Sequence, residues 1–179
     1  IKLLIASPLF DLNQPNQYGQ TALSIACISN NIKVVRLLIE SERCNVNQPN
    51  KEGVTALHYA CAMGHLEVVE LLIESERCNV NQLDQKGETA LHYACKNGHI
   101  EVVKLLIESG LCNLNESDEH GGTALHVACR YNRIEVVKLL IETGKCDLNQ
   151  GEEHGLTPLH AACKSGYLQV AARGFEWGW

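Results

Sequence analysis

The chain has 179 residues, 45% of them hydrophobic and 20% charged, with a formal net charge of -6, an ordinary soluble composition at a length that suits one or at most two globular domains. The acidic balance argues against phosphate-backbone binding as the main activity, because nucleic-acid binders usually carry a strong basic excess. No apolar run approaches the ~18 residues of a membrane-spanning helix; the longest are cut by a charge, as in VVKLLIE.

The opening segment IKLLIASPLFDLN lines up with VKLLIESGLCNLN at 103–115. It reads as the second half of a repeating unit and the chain as a piece of a longer protein. From there Thr21, Thr55, Thr89, Thr123 and Thr157 stand 34 residues apart and head TALSIAC, TALHYAC, TALHYAC, TALHVAC and TPLHAAC. Self-similarity at a fixed period of this size is the mark of a repeat array. The pattern gives a partial unit at 1–16, full units at about 17–50, 51–84, 85–118 and 119–152, and a partial unit at 153–170 before a divergent tail at 171–179.

Each unit reads as two short helices and a turn. Thr55 is a good N-cap for a first helix running to Met63, in which Ala56, Ala60 and Cys61 suit close packing. The helix stops at Gly64, and Asn30, Gly98, Asn132 and Gly166 hold that place elsewhere; Gly and Asn are the residues that tolerate a left-handed helix end. A second helix from Leu66 to about Ser75 keeps Glu67, Glu70 and Glu74 on one stripe, with apolar residues over the remainder. In the next two units the stripe pairs Lys104 with Glu108 and Lys138 with Glu142, worth a few tenths of a kcal/mol each on a solvent face. The segment CNVNQPNKEG then forms a finger rich in turn residues, with Gly19, Gly53, Gly87, Gly121 and Gly155 recurring in it. A helix pair of this size cannot bury its apolar sides alone, so the units stack side by side around a continuous core.

These residues resemble the ankyrin repeat, a turn followed by two antiparallel helices with the signature T-P-L-H-x-A. The match is close at GVTALHYACAMGHLEVVELLIES and GLTPLHAACKSGYLQV and covers nearly the whole chain. The resemblance implies an all-α ankyrin-repeat solenoid with projecting fingers, in which partners commonly bind a concave face. Two features depart from the family pattern. The usual period is 33, and the extra residue falls at the corner ESERCNVN. Gly110 and Gly144 supply a helix stop there, but Glu42 and Glu76 stand in that place earlier, where a left-handed turn costs roughly 1 kcal/mol. At the end, VAARGFE replaces VVKLLIE, putting Arg173 and Gly174 where other units have two Leu, and the tail reads as a remnant of truncation in preference to a polar cap.

Nine cysteines, from Cys27 to Cys163, are each 17 residues from the next. In the family alignment they fall at two small core positions half a repeat apart, and cysteine behaves there as a small hydrophobe. No C-x-x-C exists for a zinc site. Equivalent cysteines on stacked helices would stand about 8–10 Å apart, too far for a disulfide. Buried free thiols in a reducing, cytoplasmic compartment are expected, a contact between a corner cysteine and a neighbouring helix cysteine staying open. By resemblance His58, His92, His126 and His160 bond locally to hold finger against helix, Ser24 standing there in the first unit. His65, His99, His120 and His154 are expected in exposed corners and fingers, within reach of a partner. The sequon at Asn115–Ser117 is not expected to be glycosylated, since nothing else points to secretion. No phosphate-cradling loop, hydrolase elbow or paired-acid motif appears, and neither an enzyme nor a cofactor or metal site is expected.

Positions that define the stack repeat, so positions that differ between units are free to serve recognition. The candidate partner-binding residues are Tyr18, Lys51, Lys86, His120 and His154 on the finger tips and Met63, Lys96, Arg130, Tyr131 and Lys164 at the first-helix ends. Lys96, Arg130 and Lys164 form a basic line, one repeat apart, beside fingers made acidic by Glu116, Asp118, Glu119, Glu152 and Glu153, while Tyr18, Met63, Tyr131 and Tyr167 are the apolar anchors. The expectation is a non-catalytic scaffold that binds another protein as a monomer. The alternative is a structural spacer in a larger polypeptide, self-associating through the apolar face left open by IKLLI.

Overall fold

A computed structural model describes residues 1–166; the expectations for Tyr167 and the tail at 171–179 fall outside them. The helices are α1 (Lys2–Ala6), α2 (Ala22–Ile28), α3 (Ile32–Ile39), α4 (Ala56–Met63), α5 (Leu66–Glu74), α6 (Ala90–Asn97), α7 (Ile100–Glu108), α8 (Ala124–Arg130), α9 (Ile134–Glu142) and α10 (Pro158–Lys164), with a 3-10 turn at Glu153–Gly155. The fold is an all-helical repeat solenoid, and no strand occurs among the described residues. First helices stack in one row, α2–α4–α6–α8–α10, second helices in another, α1–α3–α5–α7–α9, and each unit's own pair closes the layers together.

The core runs unbroken between the two rows. Leu23, Leu57, Leu91 and Leu125 from the first helices meet Leu72, Leu106 and Leu140 from the second, all essentially inaccessible to water. Cys27, Cys61, Cys95 and Cys129 fill the small gaps between them. The helix stops are left-handed as the residue types require, with φ of 50° at Asn30, 72° at Gly64, 77° at Gly98, 55° at Asn132 and 73° at Gly166.

The corner corrects one expectation and supports the others. Glu76, Gly110 and Gly144 are left-handed, at φ of 55°, 69° and 64°, but Glu42 is not. Helix α3 ends at Ile39, one residue short of its counterparts, and the chain turns through Ser41 N–H to Leu38 O and Cys44 N–H to Ser41 O. Glu42 and Arg43 are the central residues of that second turn, so Glu42 takes part in the bend without a left-handed φ.

Besides the shared core, side-chain hydrogen bonds join one unit to the next. In the first helices, Thr55 N–H donates to His58 Nδ1 at 3.1 Å, closing the helix N-terminus as a capping box. Nδ1 is therefore the acceptor, and the proton sits on Nε2, which donates to Glu88 O of the following unit at 3.1 Å. His92 reaches Gly122 O at 3.2 Å and His126 reaches Leu156 O at 3.1 Å in the same way. The local bond expected of these histidines is present, and it orients a second bond across the unit boundary. Burial lowers the pKa of all three rings below the usual 6.5, consistent with neutral imidazoles.

Ser24 makes only local bonds, to Thr21. At its boundary the corner supplies the link instead: Arg77 donates to Ile39 O at 3.0 Å, the last carbonyl of α3, and to Ser41 O at 3.2 Å, Glu42 O at 3.3 Å and Cys44 O in the corner beyond it. Arg43 reaches Ile5 O of α1, and Ser7 O and Phe10 O beyond it, in the same way. Leu111 and Lys145 occupy this position at the boundaries that His58 and His92 bridge. Asparagines run along the first four boundaries: Asn47 Nδ2 donates to Arg77 O at 2.8 Å while its Oδ1 accepts from Asn79 N–H at 2.7 Å. Asn13, Asn81 and Asn115 repeat the pattern. The sequon asparagine thus has its amide in use.

Candidate functional site

Four of the five fingers fold around one side chain. Asn50 Oδ1 accepts from the backbone N–H of Glu52 at 2.8 Å and Val54 at 2.9 Å; Asn16, Asp84 and Asp118 do likewise. The glycine beside it lets adjacent fingers touch: a Cβ on Gly53 would lie 2.8 Å from Asp84 Cα. Fingers two to five are stitched by Gln85 N–H to Glu52 O, Glu119 N–H to Lys86 O and Glu153 N–H to His120 O, at 2.9, 2.8 and 2.8 Å.

Between the fingers and the first helices lies a groove with three clefts. The first, about 410 Å³, contains Tyr18 and Lys51 with Gln17, Gln20, Asn50, Glu52 and Tyr59. The second, about 230 Å³, brings Lys86, Lys96, His120, Arg130 and Tyr131 together with Glu88, Asp118, Glu119 and Val127. The third, about 580 Å³, is lined by His120, Arg130, His154 and Lys164, with Glu152, Glu153, Leu156, Ala161 and Ser165. Met63 lines none of them but is 52% exposed at the end of α4.

The electrostatics differ from the simple basic line. Arg130 is bonded through Nη2 to Glu152 Oε2. Lys96 Nζ stands 5.4 Å from the centroid of the Tyr131 ring, a cation–π contact. His120 Nδ1 lies 3.1 Å from Glu153 Oε1 and Nε2 lies 3.7 Å from Glu119 Oε1, and the Glu153 bond raises the histidine's pKa. Two of the three cations in the line thus already have partners. Glu152 replaces the Asn or Asp that folds the other fingers, and its side chain turns to α8 instead. Gly122 makes room, since a Cβ there would sit 3.1 Å from Glu152 Oε2.

Two corner histidines are corrected. His65 Nε2 lies 3.2 Å from Ile28 O and His99 Nε2 2.9 Å from Ala62 O, each half-buried against the preceding unit. Arg133 Nε donates to Lys96 O from the same position. These side chains hold the stack and do not face a partner. The residue after the motif histidine also lines the groove, as Tyr59, Val127 and Ala161, and its variation from unit to unit, Ile25 to Ala161, is a signal the sequence carries.

All nine cysteines are free, but not all are buried: Cys78, Cys112 and Cys146 are half-buried at the corners and Cys163 is exposed on α10. Burial pushes the thiol pKa of Cys27, Cys78, Cys112 and Cys129 up to about 12 and those of Cys61 and Cys95 well above the usual 9.0. Protonated thiols are poor nucleophiles and poor metal ligands. Among the described residues, no group of three or more His, Cys, Asp or Glu side chains is arranged to hold a metal ion, and no helix is long and apolar enough to cross a membrane.

Stacked, cross-linked helix pairs bearing a finger-lined groove define a helical repeat protein of the solenoid class. The family model described as ankyrin repeats (3 copies) matches residues 1–84, 75–151 and 122–173, and the chain belongs to the ankyrin-repeat family. Ankyrin repeats are generally protein–protein interaction modules and typically non-enzymatic scaffolds. No curated protein matches the chain at a significant level.

Proposed function

We propose that the chain is a non-catalytic scaffold that binds a partner protein through the groove between its fingers and first helices, in a reducing, cytoplasmic setting. One contrast carries this reading. The side chains that repeat, Thr55, His58, Asn47 and their counterparts, direct their hydrogen bonds into the stack. The candidate residues that vary from unit to unit, apart from Met63, line the three clefts. Such a groove is held open by the core beneath it, so a partner gains contact area without first ordering the protein that receives it.

Affinity capture from a cell lysate tests the proposal when the intact chain is compared with a copy carrying alanine at Tyr18, Lys51, Met63, Lys86 and Tyr131. Proteins retained by the first and lost from the second support groove recognition. Identical captured sets count against it.

A second reading has its own observation. In α1, Leu3 is 88% and Leu4 50% exposed, although Leu4 stands in register with Leu38, Leu72, Leu106 and Leu140, which are buried. This open face supports self-association, and sedimentation equilibrium decides it: a monomer across the concentration range removes that reading.

A further inference from the structure

The fifth finger departs from the other four at the residue that folds them. Asn16, Asn50, Asp84 and Asp118 each accept from the backbone N–H groups two and four residues on. Glu152 holds the same place one period later, and its longer side chain makes no such bond to His154 or Leu156. It turns to α8 and seats its carboxylate on the Arg130 guanidinium, with only 10% of the side chain exposed.

The backbone records the loss. His154 stands where the other fingers have Tyr18, Glu52, Lys86 and His120, whose N–H groups all donate to the folding side chain. With no such oxygen on its N–H, His154 is left-handed at φ of 64°, and those four are not; the conformation is costly for a residue with a Cβ. The ion pair also has an opponent. A Cβ on Gly122 would lie 3.0 Å from Asp118 Oδ2 and 3.1 Å from Glu152 Oε2, so two carboxylates face each other across that glycine and repel. Finger five thus exchanges two finger bonds and a relaxed backbone for an opposed ion pair that the other fingers do without, and local conflict of this kind clusters at functional sites.

We infer that Glu152 is a built-in competitor for the partner: Arg130 receives a carboxylate from an acidic peptide segment, and the fifth finger fills that place until such a segment displaces Glu152. The carboxylate already seated there defines the ligand class, since a guanidinium fork matches a planar carboxylate through paired N–H donors. Lys164 and His154 line the same cleft of about 580 Å³, and among the described residues neither has a carboxylate within salt-bridge distance; they receive the neighbouring acidic and polar groups of the segment. Moving Glu152 out to water ends its repulsion with Asp118, which offsets part of the cost of parting it from Arg130. This rests on the groove binding proposed above and adds the charge of the partner and the contact that restrains it.

A random dodecapeptide library displayed on phage, panned in parallel against the full chain and its Glu152→Asn variant, provides the probe peptides, and calorimetry measures their affinities. An asparagine restores the finger bonds and frees Arg130, so the variant should keep or raise the urea midpoint and enrich peptides that carry Asp or Glu. These peptides should bind the variant at least about tenfold more tightly than the parent. They should lose that margin when Arg130→Gln is added or when the peptide's acid is replaced by its amide, and should be indifferent to Lys138→Ala on α9. Glu152→Gln keeps the side-chain length and removes only the charge; it should show the same gain, which keeps the test readable if the asparagine alters the finger. Equal affinities for parent and variants, enriched peptides without an acid, a clear fall in the urea midpoint with Glu152→Asn, or inorganic phosphate binding the variant as tightly as the peptides would each overturn the inference and leave groove binding intact. Absence of any enrichment on either chain would overturn both.

Discussion

Replacing His92 with glutamine separates the two bonds made by the motif histidine. Glutamine three residues after a Thr N-cap still accepts from the N-cap amide, so the α6 terminus stays closed, but it cannot reach Gly122 O from there. Gly122 O keeps its bond from Asp118 N–H at 2.9 Å, so the loss is one inter-unit hydrogen bond at 3.2 Å and the ring's packing, together about 1–2 kcal/mol. There is also a pH signature. His92 has a folded pKa below its unfolded value of 6.5 because of burial. Its stabilisation is therefore complete above about pH 6.5 and is lost as pH falls below it, because the unfolded chain takes up the proton first. Each such histidine adds at most about 1.4 kcal/mol per pH unit in that window, and His58 and His126 act in the same sense. Urea unfolding followed by circular dichroism at pH 7.5 and pH 5.5 should show His92→Gln less stable at the higher pH and less pH-dependent than the parent. Equal stability at pH 7.5, or an unchanged pH dependence, would refute the bridging role.

Glu76→Gly should raise stability by up to about 1 kcal/mol, since the left-handed φ of 55° is strained for a residue with a Cβ; an unchanged or lowered urea midpoint counts against that strain. Arg77→Ala removes the bonds to Ile39 O and the corner carbonyls and should cost about 2 kcal/mol, while Leu111→Arg, which installs the same bonds one boundary later, should recover about 1 kcal/mol in a chemical melt. A thiol-reactive disulfide reagent should modify Cys163 readily in the folded protein and reach Cys27, Cys61, Cys95 and Cys129 only after unfolding, because the thiolate is the reacting form and burial suppresses it. Mass spectrometry of the labelled peptides assigns each site.

The helix pairs, their stops and the core were legible because they depend on local residue type: Asn30 and Gly64 are among the few residues that end a helix in the left-handed region, and Leu57 recurs where burial demands it. The links between units were not legible, for one reason. His58, His92, Arg77 and Asn47 all bond main-chain carbonyls, and a carbonyl leaves no trace in the identity of the residue that bears it. The Arg130–Glu152 pair was hidden differently, by a separation of 22 residues and by a glutamate that looked like one more acidic finger tip. His65 and His99 depart from the expectation because a polar corner need not be a wet one: each ring lies against the unit before it.

Hydrogen exchange on the full chain with and without a captured partner tests the central claim most directly. Groove recognition predicts slowed exchange at the finger tips around Tyr18, Lys51 and Lys86 and at the ends of α2 and α4, with α3, α5 and α7 unchanged. Protection confined to those second helices, or to α1 alone, would contradict it.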